Sequence, residues 1–101
     1  MTYQEWHDKG VMLFGEDKMK WAFVCPSCGH IATIQDYHDA GAPVSALAYS
    51  CVGRWQEKRA EALQGPGSGP CNYAGGGLFR LNPVEVDGEF YFDFAPGKEA
   101  E

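Results

Sequence analysis

Four cysteines carry the clearest chemical signal in this sequence. Cys25 and Cys28 are separated by a Pro-Ser dipeptide and followed by Gly29, while Cys51 and Cys71 stand alone further along the chain. Two thiolates separated by two residues can hold one tetrahedral zinc ion from a tight turn, and a glycine after them suits the positive backbone angle of that turn. Amides of the turn can also donate hydrogen bonds to the sulfurs. We predict one structural Zn²⁺ site with all four cysteines as ligands.

Four alternative interpretations of the cysteines stay open. Cys51 would also suit a buried free thiol, because cysteine packs as a small apolar residue, and His30 would be able to replace a cysteine as ligand. Disulfides would require an exported protein, and the first ten residues have neither the basic start nor the apolar run of a signal peptide. A redox Cys-x-x-Cys pair would need its first cysteine at a helix start. Here a predicted strand precedes Cys25, so the metal site is favoured.

The elements that must position the cysteines begin with a helix. Thr2 and Glu5 have the spacing of a capping box, Gly10 would let the apolar helix face approach a neighbour closely, and Gly15 would end the helix. Residues 19–24 are predicted to form a strand that leads into the cysteine pair. Thr33 would cap a short helix over residues 35–39.

The second half predicts a longer helix and a hairpin. A helix over residues 45–63 would carry Cys51, and a Gly/Pro/Ser-rich loop would follow at residues 65–70. Strands 78–86 and 89–94 would pair across Asp87-Gly88, a strong hairpin signal. This register places Val86 opposite Glu89, Glu85 opposite Phe90, Pro83 opposite Phe92 and Leu81 opposite Phe94. The face bearing Phe79, Leu81, Phe90, Phe92 and Phe94 would be the core face.

Two consequences of the hairpin complete the predicted fold. Pro83 lacks an N–H, so pairing should stop there or the strand should be an edge. The strand of residues 19–24 would pair either with residues 78–81 or with the second hairpin strand, and both pairings stay open. We predict one α+β domain over residues 1–101, zinc-ribbon or treble-clef-like, with an antiparallel sheet and C-terminal hairpin packed against two or three helices. Residues 95–101 would be a frayed tail.

Catalytic chemistry is not predicted. A catalytic zinc keeps one position open for water, and four cysteines would close the site. Asp36, His38 and Asp39 are the best acid–base candidates, but their spacing does not place them on one helical face. They are therefore interpreted as a solvated surface, and the protein is expected not to be an enzyme.

The charge of the chain bears on its partners. Fourteen acidic and eight basic residues give a formal net charge of −6, which disfavours nucleic acid because phosphate neutralisation supplies most of that affinity. Arg54, Lys58 and Arg59 form the only basic cluster and are the candidate contacts to nucleic acid or another partner. A protein partner with a basic surface fits the negative net charge better than nucleic acid does. No apolar stretch is long enough to cross a bilayer, so a soluble cytoplasmic protein is expected.

A family resemblance rests on four segments that occur in order. They are Trp21-Ala-Phe-Val-Cys-Pro-Ser-Cys-Gly-His30, Cys51-Val-Gly-Arg-Trp55, Gly69-Pro-Cys-Asn-Tyr73 and Gly77-Leu-Phe-Arg80. The chain resembles a family of small bacteriophage and prophage proteins with a Cys-Pro-x-Cys-Gly knuckle. The resemblance implies a cytoplasmic protein of an infected or lysogenic bacterium and one site made of all four cysteines, and it supplies no reaction. The predicted function is a non-enzymatic zinc-binding accessory protein that binds a host protein, as an inhibitor of a defence or nucleic-acid-handling complex. The alternative is a zinc-ribbon nucleic-acid-binding or regulatory protein.

Overall fold

The protein is a small α+β structure, as the sequence predicts. A computed structural model describes residues 1–56, 70–77 and 80–95. In chain order the elements are helix α1 (Tyr3–Phe14), strands β1 (Ala22–Val24) and β2 (Ile31–Thr33), helix α2 (Ile34–Asp39), and strands β3 (Val84–Val86), β4 (Glu89–Tyr91) and β5 (Asp93–Phe94). Short 3-10 turns lie at Lys18–Lys20, Val44–Ala46 and Val52–Trp55. Within the described ranges, no helix has the length and apolar character needed to cross a membrane.

Both helices begin at the predicted caps. The Thr2 hydroxyl accepts a hydrogen bond from the amide of Glu5 at 3.2 Å, and the Glu5 carboxylate accepts one from the Thr2 amide at 2.8 Å. The bond from the Thr2 amide lowers the pKa of Glu5, because it stabilises the ionised carboxylate. Thr33 and Asp36 form the same reciprocal pair at the start of α2. These two capping boxes satisfy amides that a helix start leaves free.

Gly10 lies against the ring of Trp21, the most buried tryptophan of the described residues. A Cβ at Gly10 would lie 2.5–2.7 Å from three atoms of that ring. Trp21 is 0% exposed and its indole N–H donates to the carbonyl of Gly15 at 2.8 Å, so the ring has little freedom to move. The predicted close approach at Gly10 is confirmed.

Replacing Gly10 with alanine should therefore destabilise the protein, although alanine favours helix by about 1 kcal/mol. The overlap with Trp21 should outweigh this gain and lower the free energy of unfolding by about 1–3 kcal/mol. Urea denaturation followed by far-UV circular dichroism measures the change. Met12→Ala, at an exposed position of the same helix, serves as control. A Gly10→Ala protein as stable as the wild type would contradict the packing described.

Strand β1 is the centre of a three-stranded antiparallel sheet of order β2-β1-β5. Phe23 pairs with Ala32 on one side and with Phe94 on the other. Of the two pairings left open by the sequence, the second one forms. Strand β1 pairs with residues 93–94, the end of the predicted second hairpin strand over residues 89–94. The predicted strand start at residue 19 is too early, because residues 18–20 form a 3-10 turn.

The predicted frayed tail does not begin at Ala95. This residue is 2% exposed, and its amide donates to the carbonyl of Ala22 at 2.8 Å. The backbone hydrogen bond continues the β1–β5 pairing by one residue beyond Phe94. Residues 96–101 lie outside the described part of the chain.

The hairpin has the predicted turn and the predicted register up to Pro83. Val86 pairs with Glu89 and Glu85 with Phe90, across Asp87 at φ 49° and a glycine at φ 90°. Pairing stops after Val84, which fits the missing N–H of Pro83.

The predicted pairs beyond Pro83 do not form. Instead of facing Pro83, Phe92 donates its amide hydrogen bond to the carbonyl of Ala48 at 2.6 Å. Phe94 pairs with Phe23 rather than with Leu81. The chain therefore leaves the hairpin at Phe92 and enters the three-stranded sheet.

The predicted core face of the hairpin is wrong in its paired part. Phe90 is 53% exposed and Leu81 39% exposed, whereas Val86 on the other face is 6% exposed. Phe92 and Phe94 are buried because they lie after the point where the chain changes sheet. Phe79 falls outside the described residues.

The predicted helix over residues 45–63 is also wrong where the structure describes it. Residues 44–56 form two 3-10 turns, and Ala48 between them has φ 55°. Cys51 is extended (φ −68°, ψ 140°), and its amide donates to the carbonyl of Tyr73 at 3.0 Å. A helix would require that amide for its own ladder. Residues 57–63 lie outside the described ranges.

The core joins an aromatic cluster to the cysteines. Around Phe94, ring centroids lie at 5.0 Å for Phe23, 5.4 Å for Trp6 and 5.9 Å for Trp21. All four cysteines belong to the same buried cluster as these rings. Trp6 and Trp21 therefore act as packing residues.

Candidate metal centre

The sulfur atoms of Cys25, Cys28, Cys51 and Cys71 converge at one point of the core. All four lie within 4.8 Å of one another. The Cys25–Cys71 and Cys28–Cys51 sulfur pairs are 3.9 Å apart. A tetrahedral ion with metal–sulfur bonds of about 2.3 Å holds its sulfurs about 3.8 Å apart. The geometry therefore matches four ligands around a single ion.

Disulfide bonding is excluded for this arrangement. All four cysteines are free, and 3.9 Å between the nearest sulfurs is far longer than a disulfide bond of about 2.05 Å. The sulfur of Cys51 lies beside the other three sulfurs and is not isolated in the core.

The first two cysteines lie on a knuckle built as predicted. The amide of Cys25 donates to the carbonyl of His30 at 3.0 Å, and the amide of Gly29 donates to the carbonyl of Cys25 at 2.9 Å. Gly29 has φ 78°, a conformation that glycine adopts without strain. The amide of His30 points at the sulfur of Cys28, 3.4 Å away. Such amide bonds orient a thiolate and stabilise its charge.

The other two cysteines approach from separate segments. Cys51 lies immediately before the 3-10 turn Val52–Trp55. The amide of Cys71 donates to the sulfur of Cys51 at 3.4 Å, and the amide of Tyr73 donates to the sulfur of Cys71 at 3.4 Å. With the Cys51 amide bonded to the Tyr73 carbonyl, the two segments are joined by both backbone and sulfur.

Gly53 is a site residue that the sequence interpretation missed. A Cβ at Gly53 would overlap the carbonyl oxygen of Cys71 and lie 2.7 Å from its nitrogen. Within the predicted helix, Gly53 would only have lowered the local helix propensity. The signal that could have identified Gly53 is the pattern Cys-x-Gly, a glycine two residues after a cysteine of the cluster.

Burial affects the ionisation of the cysteine thiols. Each cysteine is at most 2% exposed. Hydrogen bonding among the buried sulfurs lowers the pKa of Cys51 and raises the pKa of Cys25, where burial adds to the rise. Burial also raises the pKa of Cys71 to about 11. The surrounding protein groups therefore do not favour the thiolate form of every cysteine. A bound cation would favour the thiolate form of all four.

The donor set fits a soft or borderline metal ion. Among the described residues, the cluster contains four thiols and neither a carboxylate nor an imidazole. Thiolates select ions such as zinc over magnesium or calcium, and four protein ligands complete a tetrahedron with no position for water. An ion bound by these four sulfurs would join three segments of chain.

Comparison with known proteins adds the family. Residues 2–95 match the model of the VVA0879-like family. The chain belongs to the VVA0879-like family. No curated protein and no solved structure matches it. In this VVA0879-like chain the matched range contains all four cysteines and Gly53.

Of the remaining candidate residues of the VVA0879-like chain, the structure describes His30 and Arg54. His30 contributes its backbone to the knuckle, and its side chain is not part of the cluster. Arg54 is exposed and its guanidinium lies 5.2 Å from the centre of the Trp55 ring. Lys58 and Arg59 fall outside the described residues.

The acid–base candidates His38 and Asp39 on α2 lie at an exposed surface. His38 Nδ1 is 3.6 Å from a carboxylate oxygen of Asp39, and their side chains are 72% and 66% exposed. Asp36 caps the helix through the amide of Thr33. These contacts fit the solvated surface interpreted from the sequence.

Proposed function

We propose that this protein is a non-enzymatic binding module, held together by a structural Zn²⁺ ion, that acts on a protein with a basic surface. The observation that carries the proposal is the buried cluster of four cysteines. Such a site has the form of a structural anchor and leaves no ligand position for a substrate. Binding through the acidic surface is then the activity that the molecule supports best.

Zinc is the proposed ion because a closed set of four thiolates in tetrahedral geometry is typical of structural zinc. Iron–sulfur clusters also use four cysteines, but sulfurs within 4.8 Å of one another fit one ion better than several. The knuckle with Gly29 supports assignment to the zinc-ribbon or treble-clef-like folds. Metal analysis of protein purified without added metal should give one zinc per chain. Iron, or a clear shortfall of zinc, would contradict the assignment.

The sign of the charge supports a basic protein partner. The formal net charge is −6, and Zn²⁺ with four thiolates would add about −2. Such a charge steers association towards positive surfaces and away from phosphate backbones. The resemblance to phage and prophage proteins supports a partner in the cytoplasm of a bacterial host. Inhibition of a host defence or nucleic-acid-handling complex is the proposed outcome.

Affinity capture tests the proposal directly. Zinc-loaded protein should recover one stoichiometric host protein with a basic surface, and the yield should fall as salt rises because the attraction is electrostatic. Chain carrying Cys28→Ser serves as the unfolded control. Failure to recover a stoichiometric partner from several bacterial hosts would count against this function.

Nucleic-acid binding is the second candidate. It is supported by the exposed Arg54, which follows Cys51 closely and lies over Trp55, because arginine and aromatic rings together bind bases and phosphates. Lys58 and Arg59 would extend this basic cluster. The candidate predicts a gel shift with DNA or RNA that weakens with salt and with Arg54→Ala. No shift at low salt would remove it.

A further inference from the structure

A second feature of the molecule, separate from the cysteines, is an apolar cleft of about 550 Å³. This volume is in the range of ligand-binding pockets, about 300–1,000 Å³. The cleft lies between α1, the hairpin and the segment around Ala48. Its main apolar walls are Tyr3, Trp6, Trp21, Leu47, Val86 and Tyr91.

The walls of the cleft are held in place by contacts behind them. Trp6 and Trp21 meet edge to face with ring centroids 5.5 Å apart. Ala48 has φ 55°, and its carbonyl accepts a 2.6 Å hydrogen bond from the amide of Phe92. A left-handed alanine persists only where its surroundings fix it. The cleft is therefore preformed, which lowers the entropic cost of filling it.

The rim of the cleft is acidic on the hairpin side. Asp87 and Glu89 both line it. One carboxylate oxygen of Asp87 accepts a hydrogen bond from the amide of Tyr3 at 3.0 Å. Glu89 is exposed and forms no ion pair with any cation of the described residues. Lys18 on the opposite rim lies with its Nζ 6.0 Å from the centre of the Trp21 ring. Glu89 is thus the carboxylate left free for a partner's cation.

Apolar side chains stand exposed at the same rim. Val44 is 83% exposed and Tyr3 is 50% exposed, and both line the cleft. An occupant would cover them together with the aromatic floor. Its chemistry must combine a large apolar group for the cleft with a positive charge for Glu89.

We propose that this cleft binds a segment of a partner protein in which a large apolar side chain is flanked by lysine or arginine. The apolar side chain enters between Trp6, Leu47 and Tyr91, and the basic neighbour pairs with Glu89. This inference rests on the proposed function and specifies where the basic partner docks. Buried apolar anchors surrounded by charged contacts are the usual arrangement of strong interface positions.

The test uses random-sequence peptides selected on the immobilised, zinc-loaded full chain. Selected peptides should share one aromatic or branched aliphatic residue next to lysine or arginine. For a labelled selected peptide, Val44→Lys and Glu89→Lys should each weaken binding by about tenfold or more, measured by fluorescence anisotropy. Both changes are at exposed positions, so circular dichroism should show intact folding.

Two matched controls separate the cleft from general surface effects. Met12→Lys replaces another exposed apolar residue, and Glu16→Lys reverses another exposed charge; neither residue lines the cleft. Both should leave peptide affinity within about twofold of the wild type. A selected consensus without basic residues, or equal losses in the controls, would overturn the proposal. So would a dimer of the chain that Val44→Lys dissociates, because a second copy would then be the occupant.

The outcome also distinguishes this inference from the proposed function. If a captured host protein binds Val44→Lys and Glu89→Lys as tightly as the wild type, the function stands and the docking site is wrong. If selected peptides need both residues but hosts yield no stoichiometric partner, the site stands and the function loses its support.

Discussion

Cys28→Ser should abolish both zinc binding and cooperative folding. Structural zinc contributes about 10–16 kcal/mol in zinc-finger peptides, as much as or more than the total stability of a typical domain, about 5–15 kcal/mol. With Cys28 inside the core cluster at 1% exposure, loss of the ion would leave three buried thiols without a common partner. The expected result is a protein without a cooperative thermal transition.

The same experiment tests whether the site uses all four cysteines. Cys51→Ser and Cys71→Ser should match Cys28→Ser, because each sulfur lies in the same cluster. Zinc content and thermal unfolding by calorimetry are the measurements, and Met12→Ser at an exposed position is the control. A Cys51→Ser protein that keeps one zinc and loses less than about 1–2 kcal/mol would show that Cys51 is not a ligand.

Gly53→Ala should be strongly destabilising, although Gly53 is not itself a ligand. The added Cβ would overlap the backbone of Cys71, and backbone cannot yield as the end of a flexible side chain can. Relief of this overlap would move Cys71 away from Cys51 and distort the tetrahedral arrangement of the four sulfurs. We expect a loss of about 2–4 kcal/mol in unfolding free energy and zinc affinity at least about tenfold weaker.

Competition with a chromophoric chelator measures the zinc affinity of the Gly53→Ala protein. Gly76→Ala is the matched control, because its Cβ would meet only the hydroxyl end of Tyr49, at 3.0 Å. That control should stay within about 1 kcal/mol of the wild type. Unchanged affinity in Gly53→Ala would contradict the close contact between the two ligand segments.

Features with a fixed local spacing could be predicted from the sequence. The capping boxes at Thr2 and Thr33, the turn at Asp87 and the knuckle at Cys25 each depend on residues within about five positions of one another. Such signals need no knowledge of the rest of the chain. The grouping of all four cysteines was also predictable, since four cysteines in one small chain often share one metal site.

Features decided by long-range packing could not be predicted in the same way. The segment around Cys51 has apolar residues at helical spacing, but its amide bonds to Tyr73 and its sulfur joins the cluster. Both partners are distant in sequence. Likewise, alternation along the hairpin identifies two faces but does not say which faces inward. Phe90, Phe92 and Phe94 are alternate residues and would share one face of a regular strand. Because the chain leaves the hairpin at Phe92, Phe92 and Phe94 are buried while Phe90 is exposed.

The order of the ligands along the chain has a consequence for biosynthesis. Cys25 and Cys28 leave the ribosome 43 residues or more before Cys71 does. Until then the knuckle has at most three sulfurs of its final set, and β1 lacks its partner strand β5. The newly made chain therefore cannot complete its anchor until Cys71 has emerged. Metal that binds before that point would meet an incomplete site and hold it less tightly.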